Sequence, residues 1–260
     1  MSQSEYDSFY YEKQIVELAD ALDDLQMDLL PTYKKDKLFC PECHLAKLRF
    51  TRKTAKHKPY LATKQPSKVD SNCHDRNCSH FYDTATKEQA KAYYTNLTSA
   101  QIEDKLNAAI NLFLKSRRSL NHTSILPQPD DNPSLAIISH NGVVEYKRLP
   151  KRSIYTIYSI EDDLLSIPIL LYGVVRLESC KESKYQDRPP YFILKVLNSR
   201  TRKPIRYLYR AKIHDNVNPD QLYYFACIAE LKRDKDSGKL RSNLYDNNQQ
   251  ALKYIPYFPY

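Results

Sequence analysis

The chain has 260 residues, 42% of them hydrophobic, and its 40 lysines and arginines against 31 aspartates and glutamates give a formal net charge of +9. That length suits two small domains better than one large core, the basic surplus favours a polyanionic partner, nucleic acid above all, and no apolar run approaches the roughly 20 residues of a membrane-spanning helix. Three glycines leave no G-x-x-x-x-G-K-[ST] or G-x-G-x-x-G phosphate loop, which removes the nucleotide-binding classes those loops define.

The N-terminal MSQSEYDSFYYEK is acidic and polar where a secretion signal would be basic and then apolar. A cytoplasmic chain is therefore expected, with cysteines reduced or metal-bound. Residues 1–35 carry 3 basic and 8 acidic side chains (net −5), residues 36–118 carry 16 and 8 (net +8), and residues 119–260 carry 21 and 15 (net +6). From about 8 to 30, Ile15, Leu18, Leu22, Leu25 and Leu29 recur at spacings of 3, 4, 3 and 4, which predicts an acidic amphipathic helix filling most of a 1–35 segment. The plain reading docks its apolar seam on its own domain; the alternative is a contact with a second copy, as a homodimer, or with a protein partner.

Residues 36–118 are expected to form a small α/β module around a metal. Cys40-Pro41-Glu42-Cys43 is a C-x-x-C knuckle, the spacing at which two thiolates on a tight turn reach one tetrahedral ion. About 30 residues later, NCHDRNCSH at 72–80 offers Cys73, His74, Cys78 and His80 for the two remaining positions. His74 and Cys78, four apart, share a face of a helical turn, whereas Cys73 and Cys78, five apart, do not. The spacing thus leans to His74, with Cys73 the competitor and His80 an outsider. Between the pairs, residues 44–69 contain no carboxylate, and Lys47, Arg49, Arg52, Lys53, Lys56 and Lys58, with Lys64 and Lys68, make a candidate phosphate-binding loop, against the plain reading of a solvated basic loop. Two helices follow, one over about 86–95 and a second opened by Thr98 and Gln101 in capping-box spacing, with Ile102, Leu106, Ala109, Ile110 and Phe113 as its apolar stripe.

The strings LFCPECHLAKLRF, KPYLATKQPS and HDRNCSHF resemble the N-terminal zinc-finger region of bacterial competence proteins of the CoiA-like type, over about 45 residues. That resemblance implies Cys40, Cys43, His74 and Cys78 as ligands of one Zn²⁺ per chain. A site closed by four protein ligands has no open position for substrate, so its role would be structural. The family resembles nucleases further along the chain, but no corresponding acidic signature follows here.

Residues 119–134, rich in proline, read as a linker, and residues 135–260 as a β-rich domain. LAIISH-NG-VVEYKRL is a hairpin signal with Asn141-Gly142 as its turn, and LYYFACIAELKRDKDSGKLRSNLY is a second, turning at Asp236-Ser237-Gly238. Gly173, inside PILLYGVVRL, is expected to mark a bulge or sharp coil. Cys180 and Cys227 look like apolar fillers. Strict alternation along RTRKPIRYLYRAK would set Ile205, Tyr207 and Tyr209 toward the core and Arg206, Arg210 and Lys212 outward as a cationic stripe. The strand order from about 160 to 246 is similar, as a pattern, to an OB-fold barrel. Such barrels hold single strands on basic grooves with aromatic platforms, which makes Arg206, Tyr207, Tyr209, Arg210 and Lys212 candidate contacts.

Pro219-Asp220 followed by Glu230-Leu231-Lys232 imitates the P-D…E-x-K string of metal-dependent nucleases, but one strand between them would hold the two carboxylates on the order of 30 Å apart. The expected molecule is therefore α+β, an N-terminal helix and zinc module followed by an OB-like barrel. Its expected function is non-enzymatic binding of single-stranded DNA or RNA. The alternatives are an adaptor subunit docking through the acidic helix and the YIPYFPY tail, and a CoiA-like nuclease.

Overall fold

A computed structural model describes residues 6–26, 33–55, 59–64, 74–75, 78–118, 135–140, 143–155, 164–182, 191–233, 240–245 and 249–258. In chain order its elements are β1 (Ser8–Tyr11), β2 (Gln14–Glu17), α1 (Leu18–Gln26), β3 (Leu48–Thr51), β4 (Tyr60–Thr63), α2 (Lys87–Thr95), α3 (Ser99–Arg118), β5 (Leu135–His140), β6 (Val143–Arg148), β7 (Lys151–Ser153), β8 (Pro168–Glu182), β9 (Tyr191–Asn198), β10 (Pro204–Ala211), β11 (Leu222–Arg233), β12 (Leu240–Leu244) and β13 (Leu252–Pro256). The architecture is α+β with more strand than helix. Among the described residues no helix is long and apolar enough to cross a membrane.

The chain divides into two compact units, one of residues 1–84 and 111–148, the other of 85–110 and 149–260. In the first unit, the helix expected over 8–30 is replaced in its first half by a hairpin. Tyr11 pairs with Gln14 across a two-residue turn in which Glu12 (φ 43°) and Lys13 (φ 71°) are both left-handed. Such turns normally use Asn-Gly, so a Glu-Lys pair sends no turn signal. Among the described residues of this stretch Leu18–Gln26 is helical, and Leu18, Ala21 and Leu25 are buried. They join Tyr6, Phe9, Val16, Leu38, Leu48 and Leu61 in one core that also contains Cys40, Cys43 and Cys78. Leu29 lies outside the described residues. Single bridges from Tyr10 to Phe39 and from Phe39 to Lys47 join β1 to the β3–β4 hairpin. The β5–β6 hairpin forms with His140 opposite Val143, the register its two-residue loop requires, and it groups with this first unit. The loop itself, Asn141-Gly142, and the 119–134 linker lie outside the described residues.

The second unit holds α2, the start of α3, and the large sheet. Thr86 and Gln89 close a capping box at α2. The Thr98 hydroxyl likewise accepts from Gln101 N at 3.3 Å, while Gln101 Oε1 accepts from Thr98 N at 2.8 Å. Ile102, Leu106, Ala109 and Ile110 are buried as their spacing predicts; the Phe113 side chain lies outside the description. The sheet runs β10-β9-β8-β11-β12, with β7 parallel to β8 and β13 antiparallel to β11. The end strands β10 and β12 approach one another, but no ladder joins them among the described residues, so the sheet curls without closing. Its core is built from Ile169, Leu171, Val175, Leu177, Leu194, Val196, Phe225 and their neighbours. The second hairpin forms with Arg233 opposite Leu240; its turn lies outside the described residues.

Candidate metal centre

Cys40, Cys43, His74 and Cys78 come together, each buried, with one ligand atom apiece and all four atoms within 4.8 Å of one another. The first knuckle is folded by its own backbone. Cys40 N donates to Ala46 O at 2.8 Å, His44 N donates to Cys40 O at 3.0 Å, and Glu42 N points at Cys40 Sγ at 3.5 Å. His44 takes a left-handed φ of 58° to close this turn. Within the second pair Cys78 N donates to Asp75 O at 2.9 Å, and Cys78 itself is extended. Glu42 clasps the two segments, its carboxylate accepting from Ser79 N and from Ser79 Oγ at 2.6 Å each.

Cys40 Sγ lies 3.9 Å from Cys78 Sγ, and His74 Nδ1 lies 3.5 Å from Cys43 Sγ and 3.6 Å from Cys78 Sγ. The other ring nitrogen, Nε2, is 3.0 Å from the Tyr6 hydroxyl and 3.3 Å from Thr63 Oγ1, and those two oxygens are 2.7 Å apart. With Nε2–H donating to Tyr6, Nδ1 keeps a lone pair for a cation, an outer contact of the kind that orients metal-bound imidazoles. Burial pushes the Cys40 and Cys78 thiols well above their usual range. Hydrogen bonds from Cys40 and then Cys78 hold Cys43 far below it. Burial thus opposes ionisation of the cluster, and a bound cation would offset that opposition.

Cys73 lies outside the described residues. His80 is not a member of the cluster, although its ring lies 5.6 Å from that of His74. Its ring stacks on Tyr6 at 4.4 Å and its Nδ1 accepts from Arg148 Nη1 at 2.7 Å.

Of the basic loop, Lys47, Arg49 and Lys53 are exposed and Arg52 is half-buried; Lys56 and Lys58 lie outside the described residues. In the second unit the expected stripe is inverted. A register shift between Pro204 and Arg206 buries Ile205 and Arg206 together and reverses the alternation after them. Arg206 and Arg210 are thus buried at 7% and 6% exposure, while Tyr207 and Tyr209 stand out at 56% and 54%. Arg210 is engaged by Asp215 through two bonds of 2.8 and 3.1 Å. Lys212 is exposed. Tyr207 lies opposite Lys195, which lies opposite Glu178, and Tyr209 lies opposite Ile193, which lies opposite Cys180. The Tyr191 ring is 5.4 Å from Tyr209. Cys227 is a core filler, but Cys180 is half-exposed and donates to Glu178 Oε1 at 2.9 Å, so it is no apolar filler. Asp220 lies two residues before β11 and Glu230 near its end, about 30 Å apart at strand rise.

Tyr6, Thr63, Glu42, Tyr191 and Lys195 escape the sequence reading. Glu42 lies inside the C-x-x-C string and could have been tried as a clasp. Tyr6 is 68 positions from His74, and no local pattern links them. No family model matches the chain, and no significant match appears among curated proteins or solved structures.

Proposed function

We propose that the chain is a non-enzymatic nucleic-acid-binding protein that holds single strands across the outer face of β8, β9 and β10, with Cys40, Cys43, His74 and Cys78 closing a structural zinc site. The observation that carries the reading is tyrosine exposure. Tyr6, Tyr11, Tyr94, Tyr223 and Tyr224 are buried, and among the described tyrosines Tyr207 and Tyr209 alone are exposed, two apart on one strand face beside Tyr191 and Lys195. Neighbouring exposed rings are a stacking platform, each stacked base contributing roughly 1–3 kcal/mol, and Lys195 beside them is held by Glu178 at 2.9 Å. An OB-like reading of the sheet is supported by its order, since joining β10 to β12 would complete a five-stranded barrel. In that reading β9 and β10 are the second and third strands, the face such folds use for oligonucleotides.

Zinc is favoured by ligand type and dimensions. A tetrahedron with Zn–S of about 2.3 Å and Zn–N of about 2.05 Å has edges of about 3.8 Å between sulfurs and about 3.6 Å from sulfur to nitrogen. The corresponding separations are 3.9 Å, 3.5 Å and 3.6 Å.

Fluorescence anisotropy with labelled oligo(dT) and oligo(U) at low salt tests the first part. Tyr207→Ala with Tyr209→Ala should weaken binding about thirtyfold or more, two stacks at 1 kcal/mol or above; if neither probe binds the wild type, the reading is lost. Metal analysis tests the second part. One zinc per chain is expected, lost in His74→Ala and kept in Cys73→Ser, and the reverse pattern would move the fourth ligand to Cys73.

A further inference from the structure

The pairing register of the first unit sets five side chains in a row on one side of its strands. Ile15 lies opposite Tyr10, Tyr10 opposite Phe39, Phe39 opposite Lys47, and Lys47 opposite Lys64, whose N donates to Lys47 O at 2.8 Å. Directly opposed residues share a face of the pleat. The other face, with Phe9, Val16, Leu38, Leu48 and Leu61, is the buried core, so this row looks outward. Its first three members are half-buried and Lys47 and Lys64 are exposed, with exposed Arg49 next along β3 on the same side. Among the described residues, none of Lys47, Arg49 and Lys64 is paired with a carboxylate. Glu17, set on this side by its register opposite Ser8, lies in β2, three strands from Lys47, or about 14 Å at the usual strand spacing. Tyr10 carries a further ring, His44, stacked on it at 3.7 Å and nearly parallel at 6°.

We propose that this outer face is a second platform for single-stranded nucleic acid, separate from the Tyr207–Tyr209 face. Lys47, Arg49 and Lys64 would take phosphates while Tyr10 and Phe39 offer stacking surface to bases. The proposal rests on the reading that the chain binds single strands. Two features select an unpaired strand. Aromatic faces serve a base only when it is out of the duplex stack, and the cations form one band beside the rings, so backbone and bases can lie side by side. The site depends on the metal centre, because Phe39 adjoins Cys40, Lys47 adjoins Ala46, and the two are held in register by the knuckle bonds from Cys40 to Ala46 and from His44 to Cys40.

The test uses the full zinc-loaded chain and an oligo(dT) carrying 5-iodouracil, irradiated, digested and mapped by mass spectrometry. Two sets of cross-linked peptides are expected, one containing Tyr207 and Tyr209, the other Tyr10 or Phe39. The charge-reversed variant Lys47→Glu, Arg49→Glu, Lys64→Glu should keep its zinc and its melting temperature and lose the second set. It should also lower the slope of log affinity against log salt by about 2, at roughly 0.7 per phosphate on a single strand. A wild type that binds yet cross-links only at Tyr207 and Tyr209, or a variant with an unchanged slope, overturns the second platform and leaves the first standing. A wild type that binds no single strand removes both. A duplex of equal length that binds as tightly, with the same loss of slope in the variant, overturns the assignment to unpaired strands.

Discussion

Gly173 stands opposite Phe225 in an unbroken run of pairs from Leu222–Arg176 to Glu230–Pro168, so no bulge forms there. A Cβ added at this position would come within 2.9 Å of Ile154 Cγ2, a methyl that is itself in the core at 2% exposure. The glycine is needed for close approach: the Ile154 and Tyr155 side chains that follow β7 lie over this position, and any side chain here would push Ile154 away. Gly173→Ala should therefore destabilise the protein by about 1–3 kcal/mol, the usual cost of overfilling a packed core. Thermal unfolding measures it. In an Ile154→Ala background, where the opposing methyl is gone, the same substitution should cost clearly less. Equal costs in the two backgrounds would show that Ile154 is not the obstacle.

β10 is fixed at its far end by ionic contact as well as by apolar packing. Arg210 and Asp215, with side chains only 7% and 3% exposed, form a two-bond pair. Arg210 also donates to Gln249 O and Oε1 at 2.8 and 3.0 Å, and the Tyr254 hydroxyl of β13 donates to Asp215 at 3.1 Å. Removing one partner strands a buried charge, so Asp215→Ala should cost about 3–5 kcal/mol in denaturant unfolding, whereas Arg210→Met with Asp215→Leu should cost much less. Had the arginines faced solvent as strict alternation requires, Asp215→Ala would be nearly silent. The elements that were legible are those whose signal is local: the stripe of α3, its Thr98–Gln101 box, and the hairpin register across Asn141-Gly142. Those that were not depend on backbone states the letters hide. Glu12-Lys13 turns as Asn-Gly would, and a shift at Ile205 reverses every side chain after it. The Cys40–Cys43–His74–Cys78 cluster was legible because thiols and imidazoles are rare and close in sequence; its support by Tyr6 and Thr63 was not, since only folding brings those residues near.

The two units have separate cores, and the three cysteines of the candidate metal cluster are members of only one of them. A metal bound there should accordingly govern one unit's stability and leave the other's untouched. Without a cation, burial holds Cys40 and Cys78 as thiols, so loading requires their protons to leave. Protons and metal compete, and affinity falls as pH falls, because the raised thiol pKa values place the neutral forms on the acid side. Chelation at neutral pH should then loosen the first unit, and mild acid should make a given chelator concentration more effective. Hydrogen exchange read by mass spectrometry can separate the units in one sample. After chelation, amides of β1 to β4 and of 78–84 should exchange faster, while those of β8, β9 and β11, buried around Leu171, Val196 and Phe225, stay protected. The metal-bound chain should slow the first set alone. Uniform deprotection of both units would mean that they fold as one cooperative body, and no change in either would mean that the cysteines pack without needing an ion.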